Sequence, residues 1–222
     1  MSKVTNLRMG KGQKKRVNVF MDDKFAFSLQ AEVVAEEGLR VGQELSANHI
    51  KALTGADYFH RCLDAALRYL SYRPRSEHEI RQQLKRRSFD DEIIETVVAK
   101  LKEQMLIDDA AFAQFWKGSR ETFSPRSQWL TRSELRRKGI NSEIIDQVVD
   151  SVDNGSSAYR AALNKARRLT LSDYQEFRHR LGEYLRRRGF SYDVIEHTVV
   201  QIWQESAAAA DNISSKTKHR GD

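Results

Sequence analysis

The spacing of apolar residues changes near residue 56. Before it, the runs RVNVFM and KFAFSL alternate apolar and polar positions on either side of Asp22-Asp23. Alternation with a period of two is typical of half-buried β-strands, and the polar corner between the runs predicts a hairpin. Val4 to Met9 predicts a third strand. Two short helices are expected at AEVVAEEGL, ended by Gly38, and at SANHIKAL, beginning at a Ser46 cap.

After residue 56 apolar residues recur every three to four positions, as in amphipathic helices. The pattern predicts nine helices in three triplets, at 57–72, 76–88 and 91–105, at 109–122, 128–138 and 142–152, and at 157–170, 173–188 and 192–206. The predicted fold is mainly α. Three tandem three-helix repeats form an elongated curved array after a small N-terminal β-hairpin and helix module. The predicted boundaries are 1–55, 56–107, 108–153 and 154–206, with a disordered tail over 207–222.

Three similar segments carry the argument for a repeat. LKRRSFDDEII, LRRKGINSEII and LRRRGFSYDVI occur at intervals of about 50 residues. Each begins with an equivalent leucine, continues to an N-cap residue and then reaches an apolar helix face. The leucines are Leu84, Leu135 and Leu185, the caps are Asp90, Asn141 and Ser191, and the residues expected in the core are Ile94, Ile145 and Ile195. Pro74 and Pro125 also occupy equivalent places, each shortly before a serine that can cap the next helix.

Each segment also contains three consecutive cations at the end of its second predicted helix. Cations there favour the negative end of the helix dipole, and Gly139 and Gly189 stand where a C′ glycine is expected. Capping does not require three cations in a row, and consecutive helical residues point about 100° apart. Two interpretations remain: solvated helix ends, or a repeated basic surface for a partner or nucleic acid. The candidate residues are Lys85, Arg86, Arg87, Arg136, Arg137, Lys138, Arg186, Arg187 and Arg188.

Composition favours an anionic partner. The net charge is +7, and it is concentrated in residues 1–55 and 154–205, which carry +3 each, whereas 108–153 carries −1. Cys62 is the only cysteine and lies in an apolar helical pattern, which excludes an internal disulfide and fits a reducing cytoplasm. No apolar run approaches a membrane span, and the N-terminus has no apolar segment typical of a signal peptide.

No motif predicts catalysis. The chain lacks a phosphate-binding glycine loop, a nucleophile elbow and zinc-ligand spacing, and its histidines form no paired ligand motif. Asp108-Asp109 precedes an apolar helical stripe and is interpreted as a helix cap rather than a metal site. No catalytic, cofactor or metal residue is predicted, and an enzyme is disfavoured. Phe115, Trp116, Trp129 and Trp203 are expected to pack in the core.

The combination of YLSYRPRSEHEIRQQL, LIDDAAFAQFWKGSR and LRRKGINSEII resembles the RecX family, bacterial regulators of the RecA recombinase. The resemblance covers about 57–206, more loosely in the third triplet, and the N-terminal module looks like the extension of longer family members. It implies a non-enzymatic inhibitor that binds in the groove of the RecA nucleoprotein filament and limits its growth, ATPase, strand exchange and coprotease activities. We accordingly expect a cytoplasmic monomer without cofactor or membrane partner.

An alternative is direct, largely sequence-independent DNA binding. Each LRRKGINSEII-like segment has the helix, turn and helix outline of a helix-turn-helix. Its second helix, however, offers mostly Ile and Val, with Asn141 and Ser142 only at the cap. Weak direct DNA binding is compatible with the first interpretation and stays open at this stage.

Overall fold

The computed structural model describes residues 2–10, 16–169 and 173–218, with side chains to residue 206 in the last helix. The chain divides into two compact units, Met1–Ile107 and Asp108–Asp222. Unit 1 holds the N-terminal module and the first helical triplet. Unit 2 holds the other two triplets.

Unit 1 begins with a four-stranded antiparallel sheet. Its strands are β1 (Ser2–Met9), β2 (Arg16–Met21), β3 (Lys24–Gln30) and β4 (Glu44–Leu45), in the order β3-β2-β1-β4. Asp22 and Asp23 form the corner of the β2–β3 hairpin with φ of 48° and 62°. Positive φ at both corner residues is the geometry that matches strand twist in a two-residue hairpin. The predicted hairpin and third strand are confirmed, whereas the two-residue β4 is too short to show periodicity.

The prediction of two helices between residues 46 and 72 is wrong. After α1 (Ala31–Glu36), the structure has one continuous helix, α2 (Ala47–Leu70), through the predicted module boundary. Gly55 is the residue in this stretch that disfavours a helix, and a glycine there costs only about 1 kcal/mol relative to alanine. Continuous packing of α2 against both the sheet and the first triplet outweighs that cost.

Asp57 attaches α2 to the sheet and was not predicted. Its carboxylate accepts from the backbone N–H of Gln30 at 2.6 Å and pairs with Arg16 at 3.3 Å. Asp57 is only 5% exposed, so both contacts compensate for the loss of water around the charge. The contacts join residues far apart in sequence, which local periodicity does not reveal.

The three helical triplets are confirmed. The first triplet consists of the C-terminal part of α2 together with α3 (Glu77–Arg86) and α4 (Asp91–Glu103). The second is α5 (Asp109–Phe123), α6 (Gln128–Arg137) and α7 (Ser142–Val149), and the third is α8 (Asn154–Ala166), α9 (Tyr174–Arg186) and α10 (Tyr192–Lys218). No strand occurs between residues 56 and 206 in the part of the chain that is described.

Two predicted boundaries in the third triplet differ from the structure. α8 ends at Ala166, and the predicted end at residue 170 lies outside the described residues. α10 continues to Lys218, so the prediction of disorder is wrong for 207–218. Four consecutive alanines follow Ser206, and alanine has the highest helix propensity. Residues 219–222 of the predicted tail lie outside the described part.

Each triplet has its own hydrophobic core, built from equivalent positions. The three repeat leucines are fully buried, and the three predicted core isoleucines are at most 7% exposed. Cys62 lies in the first core, as predicted, and burial raises the pKa of its thiol to about 11. In every triplet an arginine of the second helix also pairs with the same position of the third helix: Arg81 with Glu95, Arg132 with Asp146, and Arg178 with Glu196.

Five of the predicted helix caps are confirmed by side-chain hydrogen bonds, beginning with the Ser46 hydroxyl, which accepts from His49 N–H at 3.2 Å. The hydroxyls of Ser76 and Ser127 each accept from the backbone N–H three residues further along the chain. The side chains of Asp108 and Asn141 accept from backbone N–H groups in the first turns of α5 and α7. Asp90 precedes α4, but its side chain does not cap the helix. Its carboxylate instead accepts from the Tyr58 hydroxyl at 3.3 Å, because α2 places that hydroxyl beside the turn.

Gly189 is a close contact between the second and third triplets within unit 2. Its φ is 80°, and an added Cβ would lie 2.6 Å from Ser127 Oγ and 2.9 Å from Leu130 Cβ. We expect Gly189→Ala to destabilise unit 2 by about 2–4 kcal/mol, because left-handed backbone strain adds to overpacking. Urea unfolding followed by tryptophan emission measures this, since all three tryptophans lie in unit 2.

Gly182 provides the matched control, because it lies inside α9 and has room for a methyl group. An added Cβ would lie 3.6 Å from Ile195 Cγ2, an ordinary contact. Gly182→Ala should therefore stabilise unit 2 by about 0.5–1 kcal/mol through helix propensity. Equal unfolding midpoints for the two alanine variants would contradict the close approach at Gly189.

Candidate functional site

The nine predicted cations lie at the ends of α3, α6 and α9, in the turns that the repeat placed there. The turns close with backbone bonds of the Schellman type: in the second triplet, Ile140 N–H donates to Leu135 O at 3.1 Å. Gly139 and Gly189 have φ of 77° and 80°, as the C′ prediction requires. Seven of the nine cations are exposed, and Lys138 and Arg188 are half-buried.

Some of these cations are held by neighbours on the same turn. Lys85 pairs with Asp91 at 2.8 Å, and Arg186 pairs with Glu183 at 3.0 Å. Arg86 donates to the amide oxygen of Gln83 at 3.0 Å. Such exposed pairs contribute little to stability and are easily exchanged for other partners.

One exposed arginine in each triplet stands apart from these pairs. Arg87, Arg136 and Arg187 make no side-chain hydrogen bond or ion pair with any residue that the structure describes. Each is a guanidinium with five donors in a planar fork, suited to a carboxylate or phosphate. The structure therefore divides the predicted cations into residues already engaged in ion pairs, hydrogen bonds or ring contacts and three available arginines.

Arg188 has a structural role that the sequence did not reveal. Its Nη1 donates to Ser124 Oγ at 2.9 Å, and its guanidinium lies 4.4 Å from the Tyr184 ring centroid. Its backbone carbonyl accepts from Ser127 N–H at 3.1 Å. These contacts join the end of α9 to the α5–α6 turn within unit 2.

Glu134 of α6 is the centre of a buried polar network beside this junction. Its carboxylate accepts from Trp116 Nε1 and from Arg120 Nε, both at 2.8 Å, and it pairs with Arg126. Glu134 is 6% exposed, while about a quarter of each arginine side chain remains exposed. The sequence showed only an acid near a basic triplet, and it did not predict that this acid is buried beneath two arginines.

Positive charge exceeds negative charge in this region. We define the arginine cluster as Arg120, Arg126, Arg137, Arg187 and Arg188. The pKa of Arg126 lies below its usual value although the side chain pairs with Glu134, because burial removes water and three other arginines of the cluster repel its charge. Burial likewise lowers the pKa of Arg120. A cationic group whose charged form is disfavoured in this way gains from a further anion.

Two aromatic residues are exposed beside the cluster, contrary to prediction in one case. Trp129 was expected in the core but is 67% exposed, at the start of α6. Its ring lies against Gly189 at the junction of the second and third triplets rather than in the core of a triplet. Phe123, the residue before Ser124, is 83% exposed. Phe115 was also expected in the core, yet it is 40% exposed on α5, whereas Trp116 and Trp203 pack against the cores of their triplets.

The described residues form neither a metal site nor a membrane span. There, no three His, Cys, Asp or Glu side chains come together as a metal site would need. Asp108 caps α5, as predicted. None of the helices within the described ranges is both long enough and apolar enough to cross a membrane.

Comparison with known proteins assigns the chain to a family. The regulatory protein RecX N-terminal domain matches residues 2–46, and the first, second and third three-helix domains of RecX match 62–101, 108–149 and 156–199. Regulatory protein RecX of Bacillus licheniformis is 30% identical over 215 residues, covering 95% of this chain and 81% of the relative. The protein of the same name from Clostridium botulinum (strain Eklund 17B / Type B) is 28% identical over 204 residues, covering 90% and 95%.

Solved structures agree with the sequence comparison. A crystal structure of regulatory protein RecX superposes with a TM-score of 0.64 at 28% identity, covering 89% of this chain and 98% of that one. RecX from Lactobacillus salivarius gives a TM-score of 0.55 at 25% identity, covering 67% and 98%. The small sheet, the three helical triplets and these matches together show that the chain belongs to the RecX family.

Proposed function

We propose that this chain is a non-enzymatic regulator that inhibits the RecA recombinase. It binds in the groove of the RecA–DNA filament and limits filament growth, ATP hydrolysis, strand exchange and coprotease activity. Membership of the RecX family carries the proposal, since the matched relatives are named regulatory proteins. We infer that it acts as a cytoplasmic monomer, with the triplets at 56–107, 108–153 and 154–206 as its binding units.

The distribution of available cations supports contact at several places. Each triplet has one exposed arginine without a partner among the described residues, namely Arg87, Arg136 and Arg187. Weak contacts made by linked modules reinforce one another, because after the first contact the others form at high effective concentration. A filament that repeats the same protomer surface is a partner suited to such binding.

The helix-turn-helix alternative is weakened by the exposed faces of the third helices. In α7, Ile145, Val148 and Val149 are buried, while Glu143 and Asp146 are exposed. The exposed face of α4 likewise presents acidic residues, namely Asp91, Glu92 and Glu95. Carboxylates on the helix that would enter the major groove are repelled by phosphate, so reading of duplex DNA by these helices is disfavoured.

The proposal is tested with RecA and single-stranded DNA. We expect this chain to lower the rate of RecA ATP hydrolysis severalfold and to shorten RecA filaments seen by electron microscopy. Inhibition should weaken as salt rises, because exposed charges are screened. An unchanged ATPase rate and unchanged filaments, with the chain in excess at low salt, would overturn the proposal.

A charge-matched pair of variants tests the role of the available arginines. Replacing Arg87, Arg136 and Arg187 together with serine should weaken inhibition at least about tenfold while leaving the fold intact, because none of them has a partner among the described residues. Replacing the exposed Arg40, Arg61 and Arg68 removes the same charge elsewhere and should change inhibition less than about twofold. Equal loss in both variants would show that net charge alone matters.

A further inference from the structure

The arginine cluster of unit 2 borders an open cavity, and Arg187 is the one lining residue that the proposed function also uses. The cavity measures about 240 Å³ and is lined by Arg126, Tyr184, Arg187 and Arg188. Three of its four lining residues are arginines, and none of the four is acidic. Glu134 is the carboxylate bonded to the cluster, and it already receives Arg120, Arg126 and Trp116.

Two arginines of the cluster have N–H donors that no acceptor in the described part of the chain satisfies. The Nε atoms of Arg126 and Arg188 are buried and have no hydrogen-bond partner among the described residues. A buried charged donor without an acceptor is costly, and native structures seldom keep one without a reason. Arg187 adds an exposed guanidinium to the same cavity. A small anion bound there would neutralise excess charge and supply acceptors.

The surroundings of the cavity favour phosphate from nucleic acid over a protein carboxylate. Trp129, two-thirds exposed, lies against Gly189, next to Arg188 in the chain. Phe123, also exposed, precedes Ser124, which accepts from Arg188. An exposed aromatic residue near a cationic pocket matches how single-stranded nucleic acids are held, with the backbone on cations and a base stacked on a ring. An acidic peptide supplies an anion but, unlike a nucleic acid, does not always carry a flat group beside it that would stack on the ring.

We propose that the cavity lined by Arg126, Tyr184, Arg187 and Arg188 binds a backbone phosphate of single-stranded nucleic acid, and that the neighbouring base stacks on Trp129. The site involves none of the helices that a helix-turn-helix would place in a groove. It lies entirely within unit 2 and needs no second protein. Binding at this site can therefore be measured in the absence of RecA.

The test measures binding of a fluorescently labelled short oligodeoxythymidylate to the full chain by anisotropy, without RecA. Arg187→Ser should weaken binding about tenfold and reduce the salt dependence by about one phosphate contact. Trp129→Ala should weaken it roughly 5- to 150-fold, the loss expected for one base stack. Arg180→Ser is the matched control, because it removes an arginine from the same helix outside the cavity, and it should change affinity less than about twofold.

Competitors distinguish the possible ligands. Inorganic phosphate should displace the oligonucleotide weakly, and duplex DNA should bind less tightly than the single strand because its bases are already stacked. Poly-glutamate that binds as tightly as the oligonucleotide, with loss in Arg187→Ser but not in Trp129→Ala, would overturn the proposal in favour of an acidic peptide. Unchanged oligonucleotide binding in both variants would overturn it altogether.

Discussion

Replacing Ile145 with alanine is expected to lower the free energy of unfolding of unit 2 by about 2–5 kcal/mol. Ile145 is fully buried in the core of the second triplet, where α7 packs against α5 and α6. Removing most of its side chain loses the transfer energy of the deleted groups and leaves a cavity in a close-packed core. Urea unfolding monitored by tryptophan emission reports the change, because the tryptophans lie in this unit.

Two further variants separate packing from helix propensity. Ile145→Val removes one methylene and should cost about 0.5–1.5 kcal/mol. Gln147→Ala lies two residues further on the exposed side of α7 and should change stability by less than about 0.5 kcal/mol. If Ile145→Ala unfolded at the same urea concentration as the parent, the register assigned to all three repeats would be wrong.

The second large effect is expected from Glu134→Ala, at about 2–4 kcal/mol of destabilisation. The change leaves Arg120, Arg126 and the Trp116 N–H without their common acceptor. Breaking a fully buried ion pair costs about 3–5 kcal/mol, and the partial exposure of both arginine side chains to water reduces that value here. The same urea experiment measures the change.

A surface glutamate provides the control that separates loss of a buried acceptor from loss of any glutamate–arginine pair. Glu183 also pairs with an arginine, Arg186, but it lies at the surface, where water replaces the lost partner. Glu183→Ala should leave the unfolding midpoint unchanged within error. Glu134→Gln, which keeps an acceptor but loses the charge, should fall between the parent and Glu134→Ala. Equal changes in the free energy of unfolding for the two alanine variants would contradict the role of Glu134 as the buried common acceptor of three donors.

These predictions depend unequally on sequence and structure. The prediction for Ile145 follows from the register of the repeat. In each triplet the cap, the turn and the apolar face occur at equivalent positions, with the spacing that helix geometry imposes. Glu134 is different. Its neighbours come from α5, the α5–α6 turn and α6, and a glutamate beside a basic triplet has the sequence pattern of an ordinary solvated pair.

The failed predictions share one physical cause. Trp129 follows apolar spacing but is exposed, with its ring against Gly189 of the following triplet rather than in a core. The helix α2 passes the expected boundary because the sheet and the first triplet pack along it together, and Asp57 bonds it to the sheet. In each case a contact between distant parts of the chain outweighed a weak local preference.

The sequence by itself determined the architecture of this protein: a hairpin module, three helical triplets, their caps and cores, and the family to which it belongs. These features depend on periodicity, turn chemistry and short-range capping, which are written locally. The tertiary structure decided which cations are available, which acid is buried, and where arginines and an exposed tryptophan meet around a cavity. Charges acquire such roles only through burial and distance, and both are set by packing between segments that the sequence places far apart.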